Sequence, residues 1–187
     1  MPTDEFQHLR ERGLTQESVY RGDVVKVRVD TVALPNGEIF NREIVEHPGS
    51  VAIVALTPDE QLVMVRQFRY AIGRVTLELP AGTCAFGETP ETTARRELRE
   101  EVGCDAGNLQ ELGEFYVAPG YGTEVIRLFL ATDLKDFGAV SPDSDEFLEP
   151  ARLSLDEAMT MVRDGRIVDA KSIIGLFKLV DMRRGVA

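Results

Sequence analysis

The order of the predicted elements indicates an α/β (α+β) chain, in which helices pack on a mixed β-sheet. Strand patterns come first, a single helix pattern follows near the middle, and two helix patterns close the chain. Strands that flank one helix and precede others are typical of helices packed against a sheet as a sandwich. A length of 187 residues suits one globular unit with an appendage, or a single larger unit.

The N-terminal half of the sequence reads as strands. Alternating valines predict a half-buried strand over residues 24–34, and a Pro-Asn-Gly turn leads into a second strand over 39–47, which together form a hairpin. The run VAIVAL over 51–56 is apolar on both faces, which indicates a buried central strand. Further strands are predicted over residues 62–70, 75–79, 109–117 and 124–131.

The first helix has clear start and stop signals. Thr89 can cap its first turn, Pro90 suits its first position, and Gly103 stands where a left-handed C-terminal residue is expected. Its apolar stripe consists of Ala94, Leu98 and Val102. A capping box at 154–157 opens a second helix, and apolar residues at helical spacing predict a third over 170–183.

Composition and charge exclude several classes of protein. The chain carries 21 basic and 32 acidic residues, a formal charge of −11, which is the opposite of the basic footprint of duplex-binding proteins. No apolar run approaches the length of a membrane span, and no signal-peptide core is present, so we expect a cytoplasmic protein without nucleic acid or membrane partners. If the substrate is a phosphate compound, a divalent cation is the expected source of positive charge.

Three acids lie on one side of the first helix. Glu97, Glu100 and Glu101 are spaced i, i+3 and i+4, and they precede the C-terminus, where the helix dipole favours cations. A solvated charged face is the simpler interpretation, but mutual repulsion and the dipole both favour a cation site. Magnesium takes such oxygen ligands, whereas the loop of a calcium EF-hand occurs nowhere in the sequence.

The stretch GTCAFGETPETTARRELREEVGC, which begins at Gly82, resembles the Nudix box of the Nudix hydrolase family. The fixed positions of that box are matched by Gly82, Glu88, Arg96, Glu97, Leu98, Glu100, Glu101 and Gly103. The last apolar position is Cys104, a mild departure because cysteine behaves as a small hydrophobe. Chance agreement at eight positions with fixed gaps is negligible.

The resemblance implies an α/β/α sandwich that hydrolyses a nucleoside diphosphate linked to another moiety. The ligands of Mg²⁺ or Mn²⁺ would be Glu97, Glu100, Glu101 and the backbone carbonyl of Ala81. Glu88 would be an auxiliary acid, and Arg96 would orient a glutamate by charge-assisted hydrogen bonds. An ordinary helical pair between Arg96 and Glu100 is the alternative for Arg96, and the two roles are compatible.

Other segments resemble the ADP-ribose pyrophosphatase branch of the family. Pro119 lies fifteen positions after Cys104, as in that branch, although a turn before the next strand would also explain a proline there. By the same resemblance, residues 1–48 form an N-terminal β element used in dimerisation, and residues 49–187 form the Nudix domain.

The resemblance also implies substrate contacts outside the box. Arg42 and Glu43 would reach the nucleotide bound by a second subunit, and Arg69 would contact phosphate or ribose. Solvated strand positions are the alternative for both arginines.

A catalytic carboxylate is expected on the loop over residues 141–147. Glu146 is the best match, Asp143 and Asp145 are rivals, and an acidic solvated loop is the alternative. The polar, proline-containing composition of this loop suits a lid.

The sequence thus predicts a homodimeric, Mg²⁺-dependent hydrolase that splits ADP-ribose into AMP and ribose 5-phosphate. A hydrolase of another nucleoside diphosphate sugar, such as GDP-mannose or ADP-glucose, shares the same chemistry. A non-hydrolytic nucleotide sensor is a third interpretation, which the complete set of metal glutamates disfavours.

Overall fold

The structure is a computed structural model that describes residues 5–138, 140 and 147–185. The chain divides into two compact units. The first unit holds the chain up to Pro48 together with Tyr116–Glu124, and the second holds Gly49–Phe115 and the chain from Val125 onward. Among the described residues, no helix is both long and apolar enough to span a bilayer.

The first unit is a three-stranded antiparallel sheet. Its strands are β1 (Arg12–Arg21), β2 (Lys26–Ala33) and β3 (Ile39–Glu46), in that spatial order. The predicted hairpin is β2–β3, but the sequence does not predict β1. All ten residues of β1 are exposed, and two irregularities in its pairing with β2 shift its register, so β1 lacks the alternation that marks a half-buried strand.

The second unit is built around a seven-stranded mixed sheet. Its strands are β4 (Ser50–Leu56), β5 (Leu62–Arg69), β6 (Arg74–Glu78), β7 (Ala81–Thr83), β8 (Cys104–Tyr116), β9 (Val125–Asp136) and β10 (Leu148–Leu153). The main order is β10-β5-β4-β9-β8, with β6 paired to β5 and β7 paired to β4. Strand β4 is parallel to β9 and antiparallel to β5 and β7, and it is buried along its whole length, as predicted.

Strands β7 and β10 are absent from the sequence prediction. Strand β7 has only three residues, too few for any periodicity to show. Strand β10 contains Pro150, which argues against a strand in sequence terms. It lies at the edge of the sheet, where a residue without an N–H is tolerated.

Helices cover both faces of this sheet. They are α1 (Pro90–Val102), α2 (Leu155–Arg163) and α3 (Ala170–Arg183). One core cluster joins Val51, Ile53 and Ala55 of β4 to α1, and the other joins Ala52, Val54 and Leu56 to α2 and α3. Because successive side chains of β4 point to opposite faces, the unit has three layers, α/β/α, and the predicted fold class is confirmed.

Candidate active site

The ends of α1 fix the position of its acidic side. The Thr89 side chain accepts a hydrogen bond from the Thr92 N–H at 3.3 Å, Pro90 occupies the first turn, and Gly103 closes the helix with a φ of 66°. The buried stripe of α1 packs on the sheet, so the neighbouring positions Glu97 and Glu101 are carried inward with it.

Two of the three predicted metal ligands are buried. Glu97 is 7% exposed and Glu101 is 2% exposed, whereas Glu100 is half-buried. Carboxylates are almost never this buried unless they are paired or bind a cation. A charged surface of a helix therefore does not explain these two residues.

The backbone of β7 lies against these acids. The Ala81 N–H donates a hydrogen bond to Glu101 Oε2 at 3.0 Å. A Cβ atom placed on Gly82 would lie only 1.8 Å from Glu97 Oε1, so the carboxylate occupies the space that any other residue at position 82 would fill. The first glycine of the box is thus required by the close approach of Glu97 to the strand.

Arg96 lies between three carboxylates. Its Nη1 donates to Glu97 Oε1 at 2.7 Å and to Glu100 Oε2 at 2.8 Å, while Nε donates to Glu88 Oε1 at 3.2 Å. Its Nη2 also donates to the Thr83 carbonyl at 3.1 Å, which ties α1 to β7. Partial burial opposes the charge of Arg96, but the hydrogen bonds to Glu88 and Glu100 and the nearby acids raise its pKa.

Glu88 belongs to the loop before α1 and is fixed there by three donors. Besides Arg96, the Thr93 hydroxyl donates to Glu88 Oε2 at 2.9 Å and the Ala85 N–H donates at 3.3 Å. The hydrogen bond from Arg96, opposed by burial and assisted by Thr93, holds the pKa of Glu88 below its ordinary value. Glu88 is therefore ionised at neutral pH.

The donor chemistry of this cluster suits a hard divalent cation, since every candidate ligand is an oxygen. In the part of the chain that the structure describes, no three acidic, histidine or cysteine side chains are already gathered around one point. Instead, the guanidinium of Arg96 lies between Glu97 and Glu100 and supplies positive charge there. The candidate ligands fit a hard cation in their chemistry, and metal binding stays a prediction.

Arg69 lies at the end of β5, and its charge interacts with that of Glu101. Its guanidinium binds Glu78 through two parallel hydrogen bonds, of 2.9 Å from Nε and 2.7 Å from Nη2. The sequence pattern gives no sign of a role for Glu78, because alternation along β6 places it on the face opposite Leu77, which is predicted to face solvent. Its two charged partners are 9 and 93 residues away along the chain, so no local signal reveals them.

The remaining predicted site residues belong to the first unit or lie outside the described residues. Arg42, Glu43 and Pro119 belong to the first unit, where Arg42 is bound by Glu11 through Nε at 3.0 Å. Their role in substrate binding stays a prediction. Glu146 and its rivals Asp143 and Asp145 lie outside the described residues.

Comparison with known proteins decides the family. A model of the NUDIX domain matches residues 46–174, more than half of the chain. The chain belongs to the Nudix family. The matched region contains the whole second-unit cluster of Glu88, Arg96, Glu97, Glu100 and Glu101.

Individual relatives are similar to this chain over most of their length. The chain is 40% identical to an ADP-ribose pyrophosphatase of Bacillus subtilis over 168 residues, which is 89% of this chain and 91% of that protein. It is 41% identical to a methanol dehydrogenase activator of Bacillus methanolicus over 167 residues, covering 89% and 90% of the two chains. Less similar relatives include GDP-mannose pyrophosphatases.

A solved structure described as an ADP compounds hydrolase superposes with a TM-score of 0.83 at 26% identity, covering 94% of this chain and 95% of that one. The predicted membership of the Nudix family, in a branch similar to the ADP-ribose pyrophosphatases, is confirmed.

Proposed function

We propose that this Nudix protein hydrolyses the pyrophosphate bond of ADP-ribose, adding one water to give AMP and ribose 5-phosphate. The observation that carries the proposal is the pair of buried carboxylates, Glu97 and Glu101, held against the backbone of β7. Similarity to ADP-ribose pyrophosphatases over about nine-tenths of the chain supports the choice of substrate.

The chemistry requires positive charge beside an anionic substrate. Nudix ADP-ribose pyrophosphatases generally depend on a divalent metal, and Glu97, Glu100, Glu101 and the Ala81 carbonyl would hold it here. When bound, Mg²⁺ or Mn²⁺ would polarise the phosphoryl oxygens and lower the pKa of a bound water. Arg96, tied to Thr83 and Glu88, would keep Glu97 and Glu100 oriented.

Exchange of one buried acid for its amide tests the activity. Glu101→Gln keeps the shape of the side chain and an oxygen for the Ala81 N–H, but removes the charge of a proposed metal ligand. We expect kcat/KM for ADP-ribose to fall at least about 100-fold, since metal catalysis is worth several kcal/mol. The matched control is Glu91→Gln, an exposed acid of the same helix, which should keep wild-type activity.

A panel of substrates separates ADP-ribose from the alternatives. The purified protein with Mg²⁺ is given ADP-ribose, GDP-mannose and ADP-glucose, and products are followed by chromatography. The highest kcat/KM should be found with ADP-ribose. Cleavage of another sugar nucleotide without release of AMP from ADP-ribose would reject the substrate assignment in favour of the alternative hydrolase.

The sensor interpretation makes a different prediction for the same variants. A protein that only binds nucleotides would show no turnover in the wild type, and Glu101→Gln would bind ADP-ribose as tightly as the wild type does. Turnover by the wild type excludes this interpretation.

We also propose that the protein is a homodimer that pairs through its first unit. Among the described residues of that unit, only Val32 and Ala33 are buried apolar side chains, while every residue of β1 is exposed. Large apolar side chains of the unit are also exposed, among them Leu14, Val19, Tyr20, Ile39 and Phe40. A small sheet needs a covered apolar face for stability, and a second copy would provide the cover.

Light scattering during size-exclusion chromatography tests the dimer. Tyr20→Asp, on β1, should shift the mass from about two chains to one, whereas Phe86→Asp, at a fully exposed position of the second unit, should not. A wild-type mass of one chain would refute the dimer. Three further points remain proposals from the sequence. Arg42, Glu43 and Pro119 are proposed to bind the nucleotide, and Glu146 is proposed as the base. The proposed location of the protein is the cytoplasm.

A further inference from the structure

Glu78, at the end of β6, is a buried acid outside the Nudix box. Its side chain is only 3% exposed. It accepts two hydrogen bonds from Arg69, one from the Thr76 hydroxyl at 2.5 Å, and a short one from the Lys171 ammonium group. The carboxylate of Glu78 thus has two cationic partners and one hydroxyl partner. A single cation would be enough to neutralise its charge.

Glu78 remains ionised despite its burial. Burial alone would raise the pKa of Glu78, but the hydrogen bonds from Arg69 and the charge of Lys171 lower it to about 2. The carboxylate is therefore a permanent acceptor at any pH where the protein is expected to work.

Lys171 is itself fixed by the N-terminus of α3. Its ammonium group lies 3.0 Å from Asp169 Oδ1, and Asp169 Oδ2 accepts hydrogen bonds from the Ser172 N–H at 3.0 Å and the Ser172 hydroxyl at 2.6 Å. The Ser172 hydroxyl oxygen in turn accepts from the Leu79 N–H at 2.8 Å, directly after Glu78 in the chain. This closed set of contacts holds Glu78 from both sides.

Arg69 is the most exposed of the charged residues in this set. Glu78 occupies two of its five N–H groups, and among the described residues no partner contacts Nη1. Its side chain is 40% exposed, and its charge interacts with that of the box residue Glu101. The guanidinium is therefore held by Glu78 with three N–H groups available to an anion.

We propose that Glu78 and Lys171 are positioning residues that hold Arg69 in the orientation in which its remaining N–H groups bind a phosphate of the substrate. The proposal rests on the proposed function, because it takes the ligand to be a nucleoside diphosphate compound. Glu78 sets the orientation of the guanidinium through the two parallel hydrogen bonds. Lys171 offsets the negative charge of Glu78, so that the ion pair of Arg69 and Glu78 still attracts an anion.

The direction in which Glu78→Gln changes the affinity for an anionic ligand separates a positioning role from a purely electrostatic one. Glu78→Gln makes the neighbourhood more positive, so a purely electrostatic role predicts tighter binding of an anionic ligand. Positioning predicts weaker binding, because the glutamine amide offers one acceptor and one donor where Arg69 needs two acceptors. We expect the Kd for ADP-ribose to rise about 10-fold, the size of one lost charge-assisted hydrogen bond.

A double-mutant cycle tests whether Lys171 acts through Arg69. The Kd of ADP-ribose is measured by calorimetry in EDTA, so that the readout needs neither metal nor turnover, for Arg69→Ala, Lys171→Met and the double variant. We expect Lys171→Met to weaken binding about 10-fold when Arg69 is present, and to raise the Kd by less than a further factor of about 2 when Arg69 is replaced by alanine.

Lys171→Arg, which keeps the charge, should restore most of the affinity. Lys178→Met, which removes an exposed lysine charge from the same helix as Lys171, is the matched control and should bind like the wild type.

Additive effects of Arg69→Ala and Lys171→Met, or tighter binding by Glu78→Gln, would overturn the proposal. The melting temperature shows whether Glu78→Gln is folded. If that variant is unfolded, the double-mutant cycle of Arg69→Ala and Lys171→Met still tests the proposal. Steady-state kinetics with Mg²⁺ provide an independent check, since these variants should raise KM more than they lower kcat. A wild type that binds ADP-ribose without cleaving it would reject the proposed function and leave this test intact.

Discussion

Adding one methyl group at Gly82 should disable the site and leave the fold in place. A Cβ atom there would lie 1.8 Å from Glu97 Oε1, 2.0 Å from Cδ and 2.6 Å from Oε2. Optimal contact between such atoms is about 3.5 Å, so in Gly82→Ala the carboxylate must retreat by roughly 1.7 Å. Every obstructing atom is at the far end of a flexible side chain, so rotation of Glu97 relieves the clash and the backbone can stay where it is.

The displaced carboxylate loses the position of the proposed ligand and its 2.7 Å contact with Arg96. A misplacement of about 1 Å in a catalytic constellation can cost about 100-fold, so we expect kcat/KM for ADP-ribose to fall by at least that factor. The free energy of unfolding should fall by only about 1 kcal/mol, the cost of an unfavourable rotamer, which lowers the melting temperature by roughly 2–4 °C.

Kinetics with ADP-ribose and Mg²⁺, together with thermal unfolding, measure the two effects on one sample. The matched control is Gly13→Ala, whose added Cβ has nothing within 4 Å and which should change neither quantity. Wild-type kcat/KM in Gly82→Ala would refute the reasoning, because it would mean that the position of Glu97 against β7 does not matter for turnover.

Three further predictions concern the fold. Thr89→Ala removes the cap of α1 and should lower the free energy of unfolding by about 1 kcal/mol, measured by urea denaturation, whereas Thr89→Ser, which keeps the capping hydroxyl, should lose far less. Gly175→Ala should destabilise by about 1–3 kcal/mol despite its better helix propensity, because its Cβ would lie 2.5 Å from Leu79 Cδ1; an unchanged melting temperature would contradict this packing. The pKa of Glu78 is lowered from 4.5 to about 2, so its contribution of roughly 3 kcal/mol is present above pH 4.5 and is lost as the pH falls towards 2. Glu78→Gln should therefore flatten the acid limb of a plot of stability against pH, and an unaltered limb would contradict the assigned pKa.

The parts of this protein that the sequence predicts well are those whose signals are local. The cap at Thr89, the apolar stripe along Leu98 and the terminal Gly103 lie within one segment, and α1 follows them closely. The central strand β4 is equally clear, because burial on both faces leaves an uninterrupted apolar run. The spacing of the box acids likewise specifies one side of one helix without reference to the rest of the fold.

Features that depend on partners far away along the chain cannot be predicted from local sequence patterns. Strand β1 exists because it pairs with β2, and its own residues carry no buried face. Glu78 reads as a solvent-facing strand position, yet it is buried by Lys171, which is 93 residues away. The spacing of Glu97, Glu100 and Glu101 also gives no indication that Arg96 lies between two of them.

The acidic end of α1 shows how the chain tolerates an arrangement that is unfavourable to the helix alone. Buried carboxylates near a helix C-terminus oppose the dipole and one another. Here the Ala81 N–H binds Glu101, and Arg96 binds Glu97 and Glu100, so partners on β7 and on the helix itself offset the local cost. A helix selected only for stability would carry lysine at such positions. These partners keep Glu97, Glu100 and Glu101 together on α1, as the proposed cation site requires, and Arg69 at the end of β5 would be a second source of positive charge.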